Sequence, residues 1–129
     1  MSKYAGIVVF NGNNVLLAKR IEFYKGDLVS HGGYWSMFGG LVDEGESLED
    51  AAERELFEEA ELTIENPLVF IGELGDLTLF ATEYDELVNP NLNFEHTEYG
   101  WFDVSLLNSF PYKIDEKFVD LILKYKKNV

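Results

Sequence analysis

The chain has 129 residues, 47% hydrophobic and 15% aromatic, a composition that supports one folded domain spanning 1–129 with its own core. Ten basic against 24 acidic residues give a net charge of −14, and there is no cysteine. That surface sign argues against a nucleic-acid partner, and the lack of thiols excludes disulfides and thiolate metal sites.

Near the N-terminus no apolar run is long enough for a signal core or a membrane span, so a cytoplasmic protein without a membrane partner is expected. Tyr4 to Phe10 is almost continuously apolar and predicts a strand buried on both faces. Asn11-Gly12 is a hairpin signal, leading into a second strand from Val15 to Arg20. In an extended strand Lys19 and Arg20 point to opposite faces, so only one of them can serve a given pocket directly. Residues 22–33 carry three glycines and no periodicity and read as a loop, with His31 as a surface residue. Trp35 and Phe38 are expected to anchor the core just before Gly39-Gly40.

Ser47 with Asp50 three residues later resembles a capping box and opens a helix predicted over Leu48 to Ala60. Leu48, Ala52, Leu56 and Ala60 step by four and give that helix a stripe able to pack on a sheet. Two strand-like runs at 68–74 and 77–84 flank Gly75-Asp76 as a second hairpin. Residues 85–93 read as a loop, and 94–102 as a loop feeding a short strand, with His96 an exposed neighbour. After Pro111, Ile114, Phe118, Leu121, Ile122 and Tyr125 mark the apolar stripe of a final helix. Strands with one helix inside and one at the end predict an α/β fold, a mixed sheet sandwiched between helices.

The central helix sets Glu55, Glu58 and Glu59 on one face at i, i+3 and i+4. Like charges so placed repel by roughly a few tenths of a kcal/mol per exposed pair, so a compensating cation is expected. Carboxylate oxygens suit a hard divalent ion such as Mg²⁺ or Mn²⁺.

Gly40, Glu46, Arg54-Glu55 and Glu58-Glu59 stand at spacings that strongly resemble the Nudix box, spanning 40–62, and YWSMFGG resembles its lead-in with Phe38 where proline is common. The resemblance implies the Nudix fold and a small MutT-like enzyme. Such an enzyme splits a diphosphate linkage in a nucleoside diphosphate joined to a group X. A nucleoside triphosphate is the first choice of substrate; a nucleotide sugar, ADP-ribose or a dinucleoside polyphosphate is the alternative. A nucleotide-binding module without catalysis is the reading from another class. Mg²⁺, with Mn²⁺ as substitute, is the implied cofactor, and a homodimer is the assembly the resemblance allows. Glu58 and Glu59 become metal ligands with the Gly40 carbonyl beside them, and Glu55 a ligand or the group orienting the attacking water. Glu46 and Arg54 become a structural salt bridge. Glu95 is the first choice for a general base and Glu98 its competitor. Lys19, Arg20 and Gly39 are the candidate substrate contacts, and Phe23, Tyr24, Trp35, Tyr84 or Tyr112 could stack a base. One box position departs: Glu61 replaces the closing glycine. If it ends the helix in the left-handed conformation it costs on the order of 1 kcal/mol; otherwise the helix runs further.

Overall fold

The computed structural model describes residues 3–127. The central strand is β1 (Tyr4–Asn11), joined by the Gly12 turn to antiparallel β2 (Asn14–Arg20). After Arg20 the chain forms a small hairpin, β3 (Phe23–Tyr24) with β4 (Asp27–Leu28), inside the stretch expected to be an irregular loop. Then come β5 (Trp35–Ser36) on β2 and β6 (Phe38–Leu41) antiparallel to β1. Helix α1 spans Leu48–Ala60, the range predicted. The second hairpin is β7 (Val69–Leu74) with β8 (Leu77–Glu83), and β8 runs parallel to β1. Strand β9 (His96–Asp103) adds to β2 and is longer than its mixed sequence suggests. A 3-10 segment, Val104–Ser109, leads to α2 (Glu116–Lys127), whose first turn is capped by the Asp115 side chain accepting from Phe118 N at 3.0 Å.

The seven-stranded sheet separates two cores. On one face Ala5, Ile7, Val9, Leu16, Ala18 and Phe38 pack against Ala51, Ala52, Leu56 and Ala60 of α1. On the other, Val8, Phe10, Val15, Leu17 and Trp35 pack against Phe118, Val119 and Ile122 of α2. Alternate residues of β1 and β2 serve opposite helices, which is why both strands read as unbroken apolar runs. Trp35 and Phe38 are buried as anchors on opposite faces. Tyr84 is also core, its hydroxyl donating to the Thr63 carbonyl at 2.6 Å. It is therefore filled by packing and removed from the base-stacking candidates, whereas Phe23, Tyr24 and Tyr112 are exposed.

Helix α1 ends where Glu61 adopts φ 54° and ψ 35°, the left-handed cap that glycine usually supplies. The Glu61 N–H still bonds the Phe57 carbonyl, and its carboxylate accepts from the Asn91 side chain. An added hydrogen bond therefore offsets part of the backbone cost.

Candidate active site

The turn between β6 and α1 is held by Arg54. Its Nε and Nη2 grip Glu46 at 2.8 and 3.0 Å, a bidentate pair that resists a single-bond slip. Nη2 also donates to the Leu41 carbonyl at 3.0 Å, and Glu46 accepts from the Asp43 N–H at 3.0 Å. Those bonds to Arg54 and then Asp43 hold the Glu46 carboxyl down at about 2. The same guanidinium reaches into the helix, where Nη1 lies 3.1 Å from Glu55 and 3.0 Å from Glu58. Arg54 thus braces the turn, as expected of the salt bridge, and also touches two of the three helical glutamates.

The three glutamates sit in different surroundings. Glu58 is half exposed and turned toward Arg54. Glu55 is largely covered, and its carboxylate occupies the space above Gly40: a Cβ there would come within 2.7 Å of both its oxygens. Glu59 is buried, with Oε1 accepting from the Gly39 N–H at 3.3 Å and Oε2 without any partner. Burial first, then hydrogen bonding with Glu55 and the nearby charges of Glu95 and Glu55, push its carboxyl far above the ordinary value near 4.5, so it holds its proton at neutral pH in the metal-free protein. The double glycine makes this approach of helix and sheet feasible. Gly39 pairs with Gly6 across β6 and β1, and a Cβ on it would meet the Ala5 carbonyl oxygen at 2.6 Å.

Strand direction sorts the remaining candidates. Lys19 is in register with Trp35 and points to the α2 face, where it lies 3.7 Å from Glu98. There it helps line a cleft of about 400 Å³ with Glu22, Trp35, Tyr112 and Lys113, which the glutamates of α1 do not line. Arg20 takes the opposite face, close enough to His96 for its charge to disfavour imidazolium there, and its Nε donates to the Ser30 carbonyl at 3.0 Å. Glu95 lies near Glu59 electrostatically and its backbone is fixed by Ile21 N to Glu95 O at 2.9 Å. The structure therefore brings Arg20, Gly39, Gly40, Glu55, Glu59 and Glu95 to one side, and places Lys19 and Glu98 on the other. His31 is exposed, as expected, beside Ser30.

His96 is not the exposed neighbour that the sequence suggests. It is 7% accessible, stacks edge-on against Phe38 with ring centroids 5.2 Å apart, and sets Nδ1 3.9 Å from Glu59 Oε1. The cause is a bulge: Lys19 pairs with Glu98 but Arg20 with His96, leaving Thr97 as the extra residue. Simple alternation would put residue 96 on the Glu98 face; the bulge turns it onto the α1 face instead. Burial, then the Arg20 charge, lower its pKa to about 4, so the ring is neutral near pH 7.

Among the described residues no three acidic or imidazole groups already converge as a metal cage, because Glu58 is drawn to Arg54. The donor chemistry nonetheless fits a hard cation. Two carboxylates meet at a double-glycine cradle, and a buried carboxylate oxygen of Glu59 lacks a partner.

A mixed sheet between two helices, with this glutamate helix docked on a double-glycine strand, defines the Nudix class, and the NUDIX domain profile matches residues 2–122. The chain belongs to the Nudix family of hydrolases. It is 32% identical over 137 residues to the oxidized purine nucleoside triphosphate hydrolase of Mus musculus, covering 96% of this chain and 81% of that protein. Among solved structures, a Nudix hydrolase from M. smegmatis superimposes with a TM-score of 0.76 at 21% identity, covering 98% of this chain and 84% of the other. The E. coli dihydroneopterin triphosphate pyrophosphohydrolase does so with a TM-score of 0.76 at 16% identity, covering 98% and 95%. Nudix hydrolases in general use a divalent metal. Among the described residues no helix is long and apolar enough to cross a membrane.

Proposed function

We propose that residues 1–129 act as one Nudix domain, a cytoplasmic Mg²⁺-dependent pyrophosphohydrolase that cleaves a nucleoside triphosphate between its α- and β-phosphates. The observation that carries the reading is the Glu55–Glu59 pair held against Gly39-Gly40, with Glu59 buried and one of its oxygens unpartnered. The mouse relative, a triphosphate hydrolase matched along nearly all of this chain, supports the substrate class.

Glu55 and Glu59, with Glu58 released from Arg54 and the Gly40 carbonyl, would hold the metal. When bound, the ion supplies charge neutralisation of the diphosphate and an activated water. The chain's own part is positioning. Arg54 fixes the turn and helix relative to one another, and Arg20 offers a cation to the phosphates on the same face. Glu95 accepts the proton as water attacks phosphorus and the bridging P–O bond breaks. In a protein of net charge −14, such local cations matter for admitting an anionic substrate.

Incubation with Mg²⁺ and a panel of nucleoside triphosphates, nucleotide sugars and dinucleoside polyphosphates tests the proposal. A nucleoside monophosphate and pyrophosphate from triphosphates is the expected outcome. Preferred cleavage of another class replaces the substrate assignment, and no cleavage of any by folded, metal-loaded protein overturns the activity. Glu58→Gln is expected to cut turnover at least ~10²-fold, the scale of losing one strong electrostatic element.

A further inference from the structure

We infer that His96 is a positioning residue for Glu59: its Nδ1–H donates to one oxygen of that carboxylate and so sets the direction of the other. The inference rests on the metal-site reading above, but its observations are independent of that reading. Only two buried side-chain atoms among the described residues lack a hydrogen-bond partner, Glu59 Oε2 and His96 Nδ1. They lie on neighbouring side chains, with Nδ1 3.9 Å from Oε1, the Glu59 oxygen that accepts from the Gly39 N–H. Two isolated orphans would each be costly; two orphans on neighbouring groups are a donor and an acceptor that a small side-chain rotation joins.

The surroundings hold the imidazole for that purpose. Phe38 closes one side of the ring, and the backbone N–H of His96 is turned toward the Asn93 carbonyl. The Thr97 bulge spends a ladder position to bring this side chain to the α1 face. A neutral imidazole carries one N–H, and among the described residues the carboxylate within 4 Å of Nδ1 is that of Glu59. In the present arrangement Glu59 leans instead on the Gly39 N–H and on Glu55. His96 Nδ1 is a buried nitrogen with no partner of its own, and it lies beside this carboxylate. A partner of this kind fixes a ligand's orientation and raises its basicity, and losing one typically lowers metal affinity by about 10–100-fold.

The test compares His96→Leu, which keeps apolar contact with Phe38 but has no donor, with His96→Asn, whose side-chain amide can still donate. Mn²⁺ affinity is measured by paramagnetic resonance titration, and the imidazole tautomer by ¹⁵N NMR of the wild type loaded with diamagnetic Mg²⁺. We expect wild type to bind Mn²⁺, and its Mg²⁺-loaded ring to be protonated at Nδ1 with its resonance shifted on binding. We expect His96→Leu to bind at least ~10-fold more weakly and His96→Asn to recover most of that loss. Unchanged affinity in His96→Leu, or a wild-type ring protonated only at Nε2 with Mg²⁺ bound, overturns the inference while leaving the metal site standing. Wild type that binds no Mn²⁺ overturns the metal reading and the inference with it. Should His96→Leu not fold, the wild-type tautomer decides.

Discussion

Replacing Glu59 with glutamine should make the metal-free protein more stable while removing its function. The reason lies in where the carboxyl sits. In the unfolded chain Glu59 ionises near its ordinary 4.5, whereas burial and then Glu55 hold it protonated in the fold. The folded pKa is therefore the higher one. Stability from this group is fully present below pH 4.5 and declines as pH rises above it, because folding must then take up a proton. Each pH unit above 4.5 costs about 1.4 kcal/mol, so the ceiling at pH 7 is about 3 kcal/mol. Glutamine is neutral throughout and nearly isosteric, but its amide is itself buried and incompletely bonded, which returns roughly 1–2 kcal/mol of that gain. Urea denaturation in EDTA should show Glu59→Gln ahead of wild type by about 1–2 kcal/mol at pH 7, with the difference shrinking toward pH 4.5. His96, present in both proteins, largely cancels from the comparison. A variant no more stable than wild type at pH 7, or an advantage that does not change with pH, would refute the argument that Glu59 is a strained buried acid.

Gly40→Ala should fold nearly normally yet lose at least ~10²-fold in turnover, since the new Cβ displaces only the movable Glu55 carboxylate; thermal melts beside initial rates will show it. Gly39→Ala instead strikes the Ala5 carbonyl and should cost about 1–3 kcal/mol in chemical denaturation. At the helix end, Glu61→Gly should be more stable than Glu61→Ala by about 1 kcal/mol, because both lose the Asn91 bond and only glycine relieves the left-handed backbone. Equal melting points for the two would remove that explanation. For the proton acceptor, Glu95→Gln should lower kcat by about 10²-fold or more while Glu98→Gln, on the far face, changes it less than about 3-fold; pH–rate profiles of both decide between them.

Helix α1 was legible in the sequence because several signals agreed over its length: Ser47 as cap, the four-residue apolar step, and glutamates all on one flank. The sandwich followed from the order of elements. What periodicity could not reveal were contacts set by a single irregular residue. His96 reads as a polar loop neighbour unless the Thr97 bulge is known, and nothing local in EHTEYGW marks a bulge there. The split between Lys19 and Arg20 was foreseen as an either-or, but which face belonged to the glutamates depended on the register of β2 against β5 and β9. The family resemblance pairs Arg54 with Glu46 alone. Its links to Glu55 and Glu58 arise because a helix turns the i+1 and i+4 carboxylates back toward the guanidinium only once the Glu46 turn has pinned it.

The odd cap at Glu61 and the placement of Glu95 are consequences of one arrangement. A helix leaves its last carbonyls without intrahelical donors. In α1 the Phe57 carbonyl takes the Glu61 N–H, the Ala60 carbonyl takes Asn91 N at 2.9 Å, and the Glu59 carbonyl takes Asn93 N at 3.0 Å. The loop is thus threaded onto the same helical end that carries Glu59. Asn93 then turns the chain, its side chain accepting from Glu95 N at 2.9 Å, while Ile21 N, just past the end of β2, fixes the Glu95 carbonyl. Glycine at position 61 would cap the helix with less strain, but it would leave Asn91 without the carboxylate that anchors the start of this loop. The departure from the family's closing glycine therefore exchanges backbone comfort for a second tie between the metal-site helix and the segment bearing Glu95 and His96. Main-chain bonds to the helix terminus and the Asn93 side chain fix the course of this loop, and Phe38 then packs on the His96 ring, so backbone and core together set where the segment bearing Glu95 and His96 stands relative to Glu59.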